Sequence, residues 1–236
     1  MAGIKTGISG QINNNIITEG LVFYVDPAYK RSYPGSGTTY SNLKDLSNEG
    51  TLYHGISLQP NHGGVWDFDG PSDYSDTNFQ APTSTQATVG LWVNINSQTN
   101  YGGLVVDSTG AGAQTRLTLS QGGTSSHPGK LSIYVGDGSS SDADFNVSIP
   151  SFNTFFCLCA TINGTAVNVY IDGQLSRSYT SGVSYVGNGQ HDYYLGGWGN
   201  TLHLNGQMGP VQIYDKELSA AEVLQNYQAQ KERFGL

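Results

Sequence analysis

Charge is what this chain of 236 residues has least of: only 12% are Asp, Glu, Lys or Arg, against about 25% in an average globular protein. The deficit is deepest among the cations, with 10 Lys and Arg against 18 Asp and Glu and a net charge of -8. A surface that neutralises phosphates needs clustered cations, and the densest basic spot is the isolated pair Lys30-Arg31. Nucleic acid and anionic membrane surfaces are therefore excluded as main partners. Cysteine is nearly absent too. Cys157 and Cys159 stand two apart in Phe155-Phe156-Cys157-Leu158-Cys159, where a strand points both thiols to one face in a geometry unsuited to a bridge. No His or Cys stands at finger spacing from them, which excludes a structural zinc site and leaves two small core residues. No run approaches the ~20 apolar residues of a membrane-spanning helix. Met1-Ala2-Gly3-Ile4-Lys5 opens no apolar stretch of the kind a secretory signal peptide needs, so none is expected. There is no phosphate-cradling loop, and Gly35-Ser36-Gly37 lacks the frame of a nucleophile elbow. His54, His62, His127, His191 and His203 are scattered singly.

What fills the space is glycine, tyrosine and small polar residues, with 32 Gly and 15 Tyr. That is the composition of many short strands and tight turns, and the aromatic content argues against disorder. Strands are expected at 21–26, 65–69, 87–95, 104–107, 115–119, 131–135 and 145–149, with a long irregular stretch between the first two that includes Asp45 to Gly50. The clearest local signal is a meander from about 154 to 179. Asn163-Gly164 and Asp172-Gly173 separate three strand runs, and both dipeptides tolerate the positive φ of a hairpin turn. Final strands are expected at 193–195 and 210–215. One helix is expected at about 219–231, opened by the capping box Ser219-Ala220-Ala221-Glu222, with Ala220, Val223, Leu224 and Tyr227 as its apolar face. Residues 1–19 have no clear period and are expected to form an N-terminal arm. Residues 20–236 form one domain without a linker or a 20-to-50-residue repeat. The fold class is all-β: an antiparallel β-sandwich with one short C-terminal helix.

Five segments in order carry a family resemblance. They are Gly20 to Asp26, Asp45 to Leu52, Trp66-Asp67-Phe68-Asp69-Gly70-Pro71-Ser72-Asp73-Tyr74, Val169-Tyr170-Ile171-Asp172-Gly173-Gln174-Leu175, and Asn205 through Ser219. The third departs from the family's "F-D-G-x-D-D-Y" turn in having Ser72 for the first acid of the pair. Together they resemble laminin-G-like domains of the concanavalin A-like lectin/glucanase superfamily over residues 20–236. The resemblance implies a jelly-roll sandwich. The closing Gln230-Lys231-Glu232-Arg233-Phe234-Gly235 is similar to the tails of tailed-phage virion members.

That likeness implies a non-enzymatic structural protein made in a host cytoplasm and displayed on the virion surface, as a capsid decoration or a tail-associated protein. Its arm would meet other virion proteins, and a homo-oligomer is among the expected assemblies. The alternative is a lectin-like module for cell-surface glycans. Glucanase relatives set Glu-x-Asp-x-Glu on one strand, and glycoside hydrolysis needs two such carboxylates across the sugar. Here Glu19, Glu49, Glu217, Glu222 and Glu232 are all unpaired, so no enzyme is expected. Asp67 and Asp69 sit in the family turn, while Asp142 and Asp144 lie in a Gly/Ser-rich stretch and are expected to be solvated. For sugar binding the candidates are Trp198, Tyr193, Tyr194 and Asn200, in a glycine-flanked segment at a sandwich end. A metal, if held, would be calcium on oxygen ligands from Asp26, Asp69 and Asp73 at family turn positions.

Overall fold

The computed structural model describes residues 15–80, 83–107, 116–187, 189 and 191–236. Residues 1–14 of the expected arm lie outside it. In chain order the strands are β1 (Leu21–Val25), β2 (Thr39–Asn42), β3 (Asp45–Tyr53), β4 (Ser57–Gln59), β5 (Val65–Phe68), β6 (Tyr74–Gln80), β7 (Gln86–Ile95) and β8 (Gly103–Asp107). After them come β9 (Thr118–Gln121), β10 (Lys130–Gly136), β11 (Ser141–Ser148), β12 (Phe155–Asn163), β13 (Ala166–Ile171), β14 (Gln174–Thr180), β15 (Asp192–Leu195) and β16 (Gly206–Tyr214), then helix α1 (Ala220–Gln230). Sheet I runs β14-β13-β12-β7-β16-β5-β4, with β1 also paired to β16. Sheet II runs β11-β10-β9-β8-β15-β6-β3-β2. Every pairing is antiparallel. The fold is the expected sandwich of concanavalin A-like form.

Period-2 alternation builds the core. Val89, Leu91, Val93 and Ile95 of β7 face Val105, Leu119, Leu131, Ile133 and Leu195 of sheet II, all buried. Each such side chain contributes about 1.5–3 kcal/mol through burial. The meander closes as its turn residues dictate. Asp172 and Gly173 both take positive φ, 51° and 75°, and Ile171 pairs with Gln174 across them.

The outer face of sheet I is covered by the C-terminal segment. Trp92, on the outward side of β7, stacks on Phe234 with ring centroids 4.1 Å apart, and its indole N–H donates to Gln230 Oε1 at 2.8 Å. The capping box forms at Ser219 and Glu222. The helix face differs from expectation, because Val223, Asn226 and Gln230 are its buried residues while Ala220 is exposed. The burial of Asn226 follows from its bonds: it accepts from the Ile17 amide at 2.8 Å and donates to the Tyr214 hydroxyl at 2.9 Å. Ile16 is buried beside them, so residues 15–17 lie against the chain's own sandwich. Arg233 then clamps the tail. Its Nη1 donates to both oxygens of buried Asp26, at 2.8 and 2.7 Å, its Nη2 to Gly64 O at 2.6 Å, and its Nε to His62 O.

Three further readings change. Asp45 to Tyr53 is a strand rather than irregular. Asp142 and Asp144 are on β11 rather than in a solvated loop: Asp144 pairs with Arg177 at 2.9 Å and Asp142 accepts the Gly182 amide at 2.7 Å. Thr115, expected to open a strand, lies outside the described residues. No helix among the described residues is long and apolar enough to cross a membrane.

Candidate functional site

Register decides what the outer face of sheet II presents. Leu52, Ser75 and Leu195 are paired in one row and face the core, so their chain neighbours face out. This sets Tyr53 opposite Tyr74, and Asp76 between Thr51 and Tyr194. The Tyr53 and Tyr74 rings stack at 4.7 Å and 12°. Tyr194 leans on Tyr74 at 6.1 Å and 57°. His54 and His203 flank Tyr74 at 5.8 and 6.4 Å. Tyr53 is 37% exposed and Tyr74 and Tyr194 are half-buried, so the trio offers an open aromatic platform.

The strand beneath is held by hydroxyls. Ser75 Oγ and the Tyr40 hydroxyl share a hydrogen bond of 2.7 Å, and Thr77 Oγ1 donates to Tyr193 O at 2.7 Å. Asn78 takes a φ of 48°, a conformation asparagine tolerates better than most residues. It donates its amide to Asp76 Oδ1 at 2.9 Å and its side chain to Glu49 O at 2.7 Å, which fixes Asp76 at the platform's edge. Burial raises the Asp76 carboxyl above the usual range; the Asn78 amide pulls it down and the charge of Asp192 raises it further. Burial also raises the Tyr194 phenol, with Asp76 and Asp192 adding to it.

His203 joins the platform to a groove of about 310 Å³, lined among others by Asp69, Gly70, Pro71, Thr99 and Asn205. Its walls are the loops β5–β6, β7–β8 and β15–β16, tied together by side chains. Thr99 Oγ1 donates to His203 O at 2.6 Å, His203 Nδ1 meets Asp73 O at 3.0 Å, and Asn205 Nδ2 donates to Ser97 Oγ at 3.1 Å. Tyr101 and Leu202 sit at φ 54° and 51°, strain of a kind that concentrates at binding sites. Gly196 is also at positive φ, and a Cβ there would run into the Phe68 ring, so this loop lies hard against the core. Aromatic faces beside carboxylate, amide and hydroxyl groups suit a ligand with one apolar face and a rim of hydroxyls.

The expected sugar residues divide. Tyr194 is on the platform, and Asn200 is exposed on the β15–β16 loop. Trp198 and Tyr193 offer no open face, which corrects their assignment. Trp198 is 5% exposed, meets Tyr134 edge-on at 5.6 Å and donates its indole N–H to Tyr101 O at 2.9 Å. It plugs the loop. Tyr193 is wholly buried and stacks on Phe79 at 6.3 Å.

The three acids expected to hold calcium are not brought together. Asp69 lines the groove. Asp73 is buried beside it and accepts the Gly70 amide at 2.8 Å. Asp26 is elsewhere, held by Arg233, with its carboxyl raised by burial against the pull of that cation. Among the described residues no three His, Cys, Asp or Glu side chains gather as a metal-holding set. Tyr53, Tyr74, Asp76 and His203 were missed as site residues; the one signal for them was a tyrosine at alternate positions from an acid in Tyr74-Ser75-Asp76.

The model of a family described as the concanavalin A-like lectin/glucanases superfamily matches residues 68–224. No curated protein sequence matches. Among solved structures the chain is similar to domain 4 of AbnA, a GH43 extracellular arabinanase from Geobacillus stearothermophilus, in complex with arabinotriose. That likeness has 16% identity and a TM-score of 0.69 over 88% of this chain and 98% of that one. It is also similar to Trypanosoma rangeli sialidase in complex with sialic acid (16%, TM-score 0.64, 92% of this chain) and to the botulinum neurotoxin serotype D binding domain (12%, TM-score 0.65, 89% of this chain). The chain spans 34% of the sialidase and 52% of the neurotoxin domain. At such identities the likeness shows the fold.

Proposed function

The chain belongs to the concanavalin A-like lectin/glucanases superfamily, and from that premise we propose that it is a non-catalytic carbohydrate-binding module whose platform is Tyr53, Tyr74 and Tyr194. One observation carries the reading: three tyrosines of adjacent strands share an open face of sheet II, beside Asp76 and the His203 groove. Sugar rings would lie on the phenol faces, with hydroxyls on Asp76, Asp69 and Asn205. That the similar domain 4 of AbnA is in complex with arabinotriose supports a neutral sugar as the ligand class. The setting of the module is the surface of a phage particle, with residues 1–14 as its attachment; the C-terminal resemblance supports this. Calcium has no role in this reading.

Binding on a glycan array, followed by titration of the best ligand, tests the function. Tyr74→Ala should weaken the fitted Kd about tenfold, the loss expected for truncating a central aromatic anchor, with an unchanged melting curve. Full binding by a Tyr53→Ala/Tyr74→Ala/Tyr194→Ala variant would remove the platform from the mechanism. Mass spectrometry of purified virions tests the setting, and absence of the protein there would overturn it.

A further inference from the structure

The ionic character of the platform sets which sugars it takes. β3, β6 and β15 contain Asp45, Glu49, Asp76 and Asp192 and not one Lys or Arg. Glu49, Asp76 and Asp192 alternate with the core-facing residues of their strands and so share the platform's face. Asp192 stands close enough to Asp76 that its charge helps raise the Asp76 carboxyl. The groove continues the same sign with Asp69 and no Lys or Arg among its lining residues, and Asp67 and Asp73 lie within electrostatic reach of each other. Lys44 precedes β3 at the end away from Tyr53. Lys130 is four strands across the sheet from β6, roughly 19 Å at the usual strand spacing and beyond the screening length of physiological salt.

We infer that this face, if it is the glycan platform assigned above, selects neutral and amino sugars and rejects sugars carrying a carboxylate. A uronate or sialic acid stacked on Tyr74 or Tyr194 would place its charge within several ångströms of Asp76 and Asp192, with no Lys or Arg on β3, β6 or β15 to meet it and the Arg116 guanidinium buried against Asp107. Repulsion at that range amounts to about a tenfold loss in affinity. A neutral sugar gives the same carboxylates hydroxyl donors. A protonated amino sugar adds an ion pair and a cation over a phenol face.

The test titrates the full chain with four trisaccharides: a neutral pentose, a free-amine glucosamine, a galacturonate, and one ending in sialic acid. Each is run at low and at physiological salt. The expected order is glucosamine first, neutral second, and the two acids about tenfold weaker than the neutral sugar or undetected. Salt should weaken only the glucosamine arm. Asp76→Asn/Asp192→Asn should weaken neutral binding, which loses two carboxylate acceptors, and strengthen binding of both acidic ligands in absolute terms, a gain that misfolding cannot produce. Acidic trisaccharides binding as well as neutral ones, through the tyrosines, would overturn this selectivity while leaving the glycan platform standing. No binding by any of the four, on a chain that also fails the array, would overturn both.

Discussion

Consider the clamp that Arg233 makes on Asp26. Asp26 is 1% exposed, and both its oxygens accept from one guanidinium nitrogen, while the remaining guanidinium nitrogens hold the carbonyls of Gly64 and His62. Arg233→Met keeps much of the aliphatic stem and deletes the charge. Removing one partner of a buried ion pair costs about 3–5 kcal/mol. The lower half applies here, because the Ala28 amide still donates to Asp26 at 3.0 Å and the carboxyl can take a proton. About 3 kcal/mol in a chain of this size lowers Tm by roughly 6–12 °C. Asp26→Asn on the Arg233→Met background should recover at least half of the loss, since it removes the stranded charge. The deficit should also grow with pH. Burial already raises the folded carboxyl above its ordinary value, and Arg233 is what pulls it down. A carboxyl raised on folding contributes stability at low pH that is lost as pH rises through its folded pKa. Without Arg233 that raised value climbs further, so the variant loses more at pH 8 than at pH 5. Urea denaturation of the wild type, the Arg233→Met variant and the double variant at pH 5 and pH 8 measures all three quantities. A deficit under about 1 kcal/mol at pH 8, or one that shrinks as pH rises, would falsify the account of this clamp.

Other outcomes follow from single sites. Burial pushes the Asp107 carboxyl up to about 7 against the pull of Arg116, so the wild type should lose stability between about pH 4 and 7 relative to Asp107→Asn, by a few kcal/mol at most; parallel curves of Tm against pH for the two chains would refute this. Cys157 and Cys159 are free, Cys157 partly exposed and Cys159 buried, with the Cys159 thiol raised by burial to about 12; a thiol reagent should reach Cys159 only as fast as α1 lifts from sheet I, and immediate labelling of both cysteines at neutral pH would contradict that. Trp198→Ala should cost about 3–5 kcal/mol as a lost plug, and Trp198→Phe much less, by thermal melts; equal tolerance of both would show that the ring is not packed.

The sequence announces some parts of this molecule and conceals others for identifiable reasons. The β12–β14 meander is legible because Asp172 and Gly173 must accept positive φ, and α1 is legible because Ser219 and Glu222 bond reciprocally. β6 is concealed because its core-facing residues are Ser75 and Thr77, buried hydroxyls satisfied by Tyr40 and by the Tyr193 carbonyl; the apolar alternation that marks a strand is missing. With β6 unread, Tyr53 and Tyr74 had no common face. Trp198 misled in the opposite direction, since glycines around an aromatic mark a plug as well as a platform. The cover over Trp92 was equally invisible, because Phe234 lies 142 positions along the chain and no local pattern links the two rings.

Asn15, α1 and the Arg233 tail all sit on the outer side of sheet I, and the tyrosines open from the outer side of sheet II. On the proposed reading, an attachment through the chain's ends and a glycan on the tyrosines would pull on opposite surfaces of the sandwich. Copies fixed to a support through either end would point their tyrosines away from it without having to turn. Sites too weak to hold one glycan alone would then act in parallel on a glycan-coated surface, and the strength of attachment would be set by how densely the copies are planted.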